Sequence, residues 1–152
     1  MNTKRVLVAV FVVIVVAVGA LSASTVLTNA DYDPHGGTNW HTDVTVAREQ
    51  AQSSNSPMLV YFWSENCGAC QDFNEELQGN AELQDALDGY VLVSAKYADA
   101  EGLRERYDVS RTPTVVVVTP EGERVTTFVP SGVENPAETL ERAREQATET
   151  TA

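Results

Sequence analysis

The chain has 152 residues, enough for one domain with a packed core and few for two. Its 43% hydrophobic content excludes a globally disordered chain, and 22 acids against 10 bases, a formal net charge of -12, count against binding to phosphate backbones. Two of the bases are lysine and eight are arginine, an acid-rich, lysine-poor balance that fits a surface hydrated in concentrated salt.

Lys4 and Arg5 precede an uncharged apolar run of eighteen residues, Val6 to Ala23. As a helix this run is roughly 27 Å long, enough to cross a hydrocarbon core. The basic flank stays on the cytoplasmic side, so the chain beyond the helix faces outward. Residues 1–30 are therefore read as an uncleaved signal anchor, with a cleaved signal peptide and a secreted domain as the alternative. Residues 31–42, polar and turn-rich around Pro34, Gly36 and Gly37, read as a tether. The working domain is expected over 43–148, with a disordered tail at 149–152.

Within that domain Thr42 or Asp43 caps a helix that carries Val44, Ala47 and Ala51 and closes before Pro57. MLVYFW at 58–63 is a buried-strand run. Cys70, Phe73 and Leu77 fall at helical spacing, and Leu83 and Leu87 suggest a further helical segment. A second strand is expected over Tyr90 to Tyr97, a short helix over Glu101 to Tyr107, and a third strand at 114–119. The Pro120-Glu121-Gly122-Glu123 turn then leads into a fourth strand, Arg124 to Val129, as a hairpin. A last helix runs from about Ala137 to Thr148. This order predicts an α/β domain with a mixed central sheet flanked by helices.

The two cysteines of the chain form Cys67-Gly68-Ala69-Cys70, where a buried strand gives way to a helix. Free N–H groups and the positive end of the helix dipole stabilise a thiolate at Cys67. Cys70, one turn on, is close enough to close a small disulfide ring and to resolve a mixed disulfide formed at Cys67. A ring over two intervening residues removes little chain entropy, so stapling is the weaker use of the pair. Two other readings stand beside redox catalysis: a copper(I) carrier using both thiolates, and a non-catalytic interaction module with a vestigial pair. Zinc needs two further ligands, and His35 and His41 fall in the expected tether.

Trp63-Ser64-Glu65-Asn66-Cys67-Gly68-Ala69-Cys70 after an apolar strand, with Arg111-Thr112-Pro113-Thr114 opening another, resembles the thioredoxin superfamily, and its extracytoplasmic members in particular. The likeness covers roughly residues 40–147. It implies a thioredoxin-like fold and a protein thiol–disulfide oxidoreductase, with Cys67 the nucleophile and Cys70 the resolving thiol. It also implies a cis Pro113 with Thr112 as the docking loop for an extended substrate, and Trp63 beside the site. Tyr61 stands where many relatives carry a buried aspartate, and Lys96 where they often carry a buried lysine, so both are positions for tuning thiol acidity. Tyrosine is a poor base at neutral pH. Asn66 replaces a common second tryptophan, and Glu65 and Asp72 place negative charge beside the motif, which raises a thiol pKa. No bound organic cofactor or metal is required, since the disulfide carries the electrons. The implied partners are protein thiols and disulfides, a redox partner protein and, through the N-terminal helix, the membrane.

Overall fold

A computed structural model of the protein describes residues 32–151. The expected signal anchor lies outside them. Among the described residues no helix is long and apolar enough to cross a membrane.

Two short strands come first, β1 (Tyr32–His35) and β2 (Thr38–His41). Helix α1 (Val44–Ser54) starts at Asp43, whose Oδ1 accepts from the backbone N–H of Thr45 at 2.7 Å and of Val46 at 3.3 Å. It stops at Asn55, whose φ of 51° supplies the left-handed turn that closes a helix. Strand β3 (Met58–Trp63) leads into α2 (Gly68–Gly79) and α3 (Ala81–Leu87), which Asn80 caps through its side chain. Strand β4 (Val91–Lys96), helix α4 (Glu101–Tyr107), strands β5 (Thr114–Val118) and β6 (Arg124–Phe128), a turn of 3₁₀ helix and α5 (Pro136–Thr151) complete the chain.

The strands form one mixed sheet in the order β1-β2-β4-β3-β5-β6. β4 runs parallel to β2 and β3, while β5 is antiparallel to β3 and β6. Both faces are covered, which is why β3, β4 and β5 are apolar without alternation. Leu59 and Tyr61 point to one face with Phe73 and Leu77 of α2, Leu83 of α3 and Leu140 of α5. Met58, Val60 and Phe62 point to the other, against Ala47 and Ala51 of α1 and Tyr107 of α4.

Two expectations are corrected. The segment read as a tether, 31–42, holds a hairpin that extends the sheet, with Tyr32 opposite His41 and His41 opposite Val93 of β4. Gly36 and Gly37, at φ 59° and 80°, give the two-residue turn whose twist matches paired strands. Trp40 is fully buried, and its Nε1–H donates to the His35 carbonyl at 3.2 Å. A Cβ on Gly36 would overlap Leu77 Cβ, so the turn lies flush on α2. The tail is also ordered further than expected. Helix α5 continues to Thr151, with Ala147 buried on its inner face and the Thr148 and Thr150 hydroxyls donating back to Glu145 and Gln146 carbonyls.

Candidate active site

The site lies where β3 ends and α2 begins. Cys67 is the N-cap of α2: its backbone is extended, at φ -114° and ψ 99°, and its Sγ accepts from the Cys70 N–H at 3.1 Å. Cys67 and Cys70 are joined as a disulfide, with their Cα atoms 5.2 Å apart. Cys67 is half-buried and Cys70 is 2% exposed. The exposed member therefore sits on the orphan N–H groups of the helix start, and the buried one lies a turn behind it. A thiolate at Cys67 is stabilised there and open to another chain, whereas Cys70 is reached through Cys67.

Tyr61, fully buried on β3, has its ring 5.4 Å from that of Phe73, and its hydroxyl donates to the Cys70 carbonyl at 3.4 Å. Burial pushes this hydroxyl well above the usual tyrosine range, so it stays a donor at every working pH. Tyr61 thus holds the backbone of Cys70 as a donor and is not a base for its thiol.

Lys96 ends β4 opposite Trp63. Its Nζ lies 2.8 Å from Glu65 Oε1, with the two side chains 36% and 67% exposed. The Lys96 ammonium, by hydrogen bond first and charge second, holds the Glu65 carboxyl below the usual carboxylate range. Lys96 is a partly exposed strand-end residue, and its charge offsets part of the negative charge that Glu65 brings to the motif.

The Thr112–Pro113 peptide is cis, as the resemblance implies, and Pro113 is buried immediately before β5. Register places Thr114 opposite Phe62, so this loop stands level with the end of β3. Thr112 Oγ1 and Ser64 Oγ are 3.0 Å apart, which ties the loop to the segment that enters the cysteine motif.

Trp63 is half-buried, and its Nε1–H donates to Ser94 Oγ at 2.8 Å. Ser94 Oγ is also 2.9 Å from His35 Nε2. The His35 ring, 5% exposed, lies edge-on to Trp40, Tyr61 and Trp63 at centroid distances of 5.7, 5.1 and 5.3 Å. In the sequence His35 falls in the expected tether and Ser94 carries no marked role, yet the fold brings both to the site. The available signal was Gly36-Gly37 between two four-residue segments, a hairpin spacing that brings His35 inward. Among the described residues no three His, Cys, Asp or Glu side chains are grouped to hold a metal ion.

A family profile described as thioredoxin-like domain matches residues 44–148. A thiol:disulfide interchange protein DsbD from Cronobacter sakazakii is 30% identical over 82 residues, which span 51% of this chain and 14% of that much longer relative. Among solved structures, a thioredoxin from Thermus thermophilus superposes with a TM-score of 0.54 at 27% identity, covering 68% of this chain and 83% of that one. A thioredoxin variant from Halobacterium salinarum gives 0.51 at 22%, covering 70% and 87%. The DsbH oxidoreductase gives 0.55 at 16%, covering 70% and 83%.

Proposed function

Because this chain belongs to the thioredoxin-like domain family and carries a bonded cysteine pair at a helix start, we propose that it is a thiol–disulfide oxidoreductase acting on protein thiols and disulfides through Cys67 and Cys70. The observation that carries this reading is the asymmetry of the pair, with Cys67 half-exposed at the N-cap and Cys70 buried behind it.

From the disulfide form, a substrate thiolate attacks Cys67 Sγ. A substrate–Cys67 bond forms, the Cys67–Cys70 bond breaks, and Cys70 leaves as a thiolate that takes up a proton. A second substrate thiolate then attacks the substrate sulfur of the mixed disulfide. The substrate disulfide forms, Cys67 leaves with the electron pair, and two electrons have passed to the domain. Reduction of a substrate runs the same steps in reverse, starting from the Cys67 thiolate. Tyr61 fixes the carbonyl of Cys70 throughout, and the Thr112–Pro113 loop is the docking edge for an extended substrate segment.

The domain works outside the cytoplasm, held by the N-terminal apolar segment. The basic pair Lys4-Arg5 followed by eighteen uncharged residues supports this orientation. The -12 charge with two lysines supports work in concentrated salt.

Trapping tests the chemistry. Cys70→Ser in the full chain should accumulate mixed disulfides at Cys67, reversible by reductant, when exposed to oxidised protein substrates. Cys67→Ser should accumulate none. Equal trapping by both variants, or by neither, would overturn the assignment of nucleophile and resolver. Retention of one Cu(I) per chain against a competing chelator, with no trapping, would replace exchange by metal carriage.

A further inference from the structure

The hairpin β1–β2 precedes the family match, yet it places a buried imidazole among the residues that carry the cysteine motif. His35 touches β3 through Tyr61 and Trp63, β4 through Ser94 and β2 through Trp40. Its neighbour Gly36 lies flush on Leu77 of α2. The segment between β3 and Cys67 is held at two points: Trp63 on Ser94 and Ser64 on Thr112. The Ser94 hydroxyl of the first anchor also contacts His35 Nε2.

Donor and acceptor capacities give that anchor a direction. An indole N–H only donates, so Ser94 Oγ accepts from Trp63. We assign the Ser94 hydroxyl hydrogen to His35 Nε2, 2.9 Å away, and with it the lone pair of the neutral ring. The result is a directed chain from Trp63 through Ser94 to His35, in which each bond polarises the next. A proton added at Nε2 reverses the second bond: Nε2–H now donates into Ser94 Oγ, and the hydroxyl hydrogen turns to another acceptor. Histidine is the side chain that makes this change between about pH 5 and 8.

We propose that His35 is a positioning residue of the exchange site, whose protonation loosens the Ser94 anchor of Trp63 and slows exchange on the acid side of neutrality. The proposal rests on the oxidoreductase reading above. The titratable groups on the faces packed against His35 are Tyr61 on β3, Cys70 on α2 and Lys96 on β4. Tyr61 stays protonated, and Lys96 is paired with Glu65. His41 follows Trp40 on β2 and so points to the opposite face of the hairpin. Asp72, Glu75 and Glu76 of α2 are exposed.

Two measurements on the full chain test it. The first follows the Trp63 indole N–H by NMR, assigned with Trp63→Phe, alongside the His35 ring protons from pH 5 to 8. The second follows the rate of Cys67 exchange with a small chromogenic aromatic disulfide over the same range, corrected for thiolate fraction. In the unaltered protein the Trp63 indole should shift with the midpoint of His35, and the exchange rate should fall below that midpoint. His35→Gln, whose amide oxygen still accepts from Ser94 but cannot protonate, should keep the neutral-pH rate within about twofold and lose the acid fall. His35→Leu should be slower than the unaltered protein by about threefold to tenfold at neutral pH and show no acid fall. If His35→Leu does not fold, Ser94→Ala should uncouple the indole from the histidine.

A Trp63 indole that stays flat through the His35 titration, with exchange intact, overturns this role alone. An acid fall that persists in His35→Gln does the same. No exchange at any pH, with the indole still coupled, overturns the oxidoreductase reading and this role with it.

Discussion

At the scale of single residues, the site separates groups that touch the cysteines from groups that set their surroundings. Tyr61 holds the Cys70 carbonyl through one long hydrogen bond. Tyr61→Phe removes it while keeping the ring among His35, Trp40 and Phe73. It should lower stability by about 0.5–1 kcal/mol in urea unfolding and leave the pH profile of the exchange rate as it is in the unaltered protein, because the hydroxyl does not ionise near neutrality. Glu65 gives a pH-dependent prediction. Its carboxyl pKa is lowered in the folded protein by Lys96, so its contribution is present above the unfolded carboxylate pKa and is lost as pH falls through the lower folded value. The stability difference between the unaltered chain and Glu65→Gln should therefore be small at neutral pH, vanish in acid and shrink with salt, because the pair is exposed. Denaturant curves at pH 7 and pH 3 check the sign. A difference that grows in acid would contradict it.

At the scale of elements, the hairpin is the least expected part of the structure, and Gly36 is its critical residue. Gly36→Ala introduces a Cβ into Leu77 and forces an L-residue to φ 59°. It should destabilise the domain by about 2–4 kcal/mol, read as a lower urea midpoint with an unchanged slope. Gly37→Ala meets no neighbouring atom and should cost only the positive-φ part, roughly 1 kcal/mol. Equal effects at the two glycines would show that the turn does not pack on α2.

The contrast explains which elements were legible from sequence. β3 and β5 are buried on both faces, so their runs, 58–63 and 114–118, announced themselves. The cysteine motif was legible because its chemistry is local: strand end, N-cap and one helical turn. β1 and β2 have four residues each, include Pro34 and leave Thr38 and Asn39 exposed, so no apolar period marked them. The Trp63 anchor was invisible for another reason. Ser94 stands 31 residues from Trp63 and 59 from His35, and only the sheet order brings the three together. Lys96 lies on the expected strand, but its pairing with Glu65 follows from the parallel register that sets Trp63 opposite Lys96, which sequence does not show.

At the scale of the whole molecule, acids outnumber bases 22 to 10, and self-repulsion opposes the compact state. Raising salt from about 0.1 M to about 1 M shortens the screening length from roughly 10 Å to roughly 3 Å. The melting temperature should rise by about 5 °C or more over that range. A flat or falling melting temperature would contradict an acid surface fitted to concentrated salt.

The central claim is that Cys67 and Cys70 exchange reversibly between dithiol and disulfide as a working pair. Its most direct test is to equilibrate the full chain in graded glutathione buffers at high salt and count free thiols by alkylation and mass. The predicted result is a single reversible two-electron transition with a midpoint between roughly -120 and -270 mV, the range of thiol–disulfide oxidoreductases. Cysteines that remain bonded across the whole range, or that never pair, would contradict it.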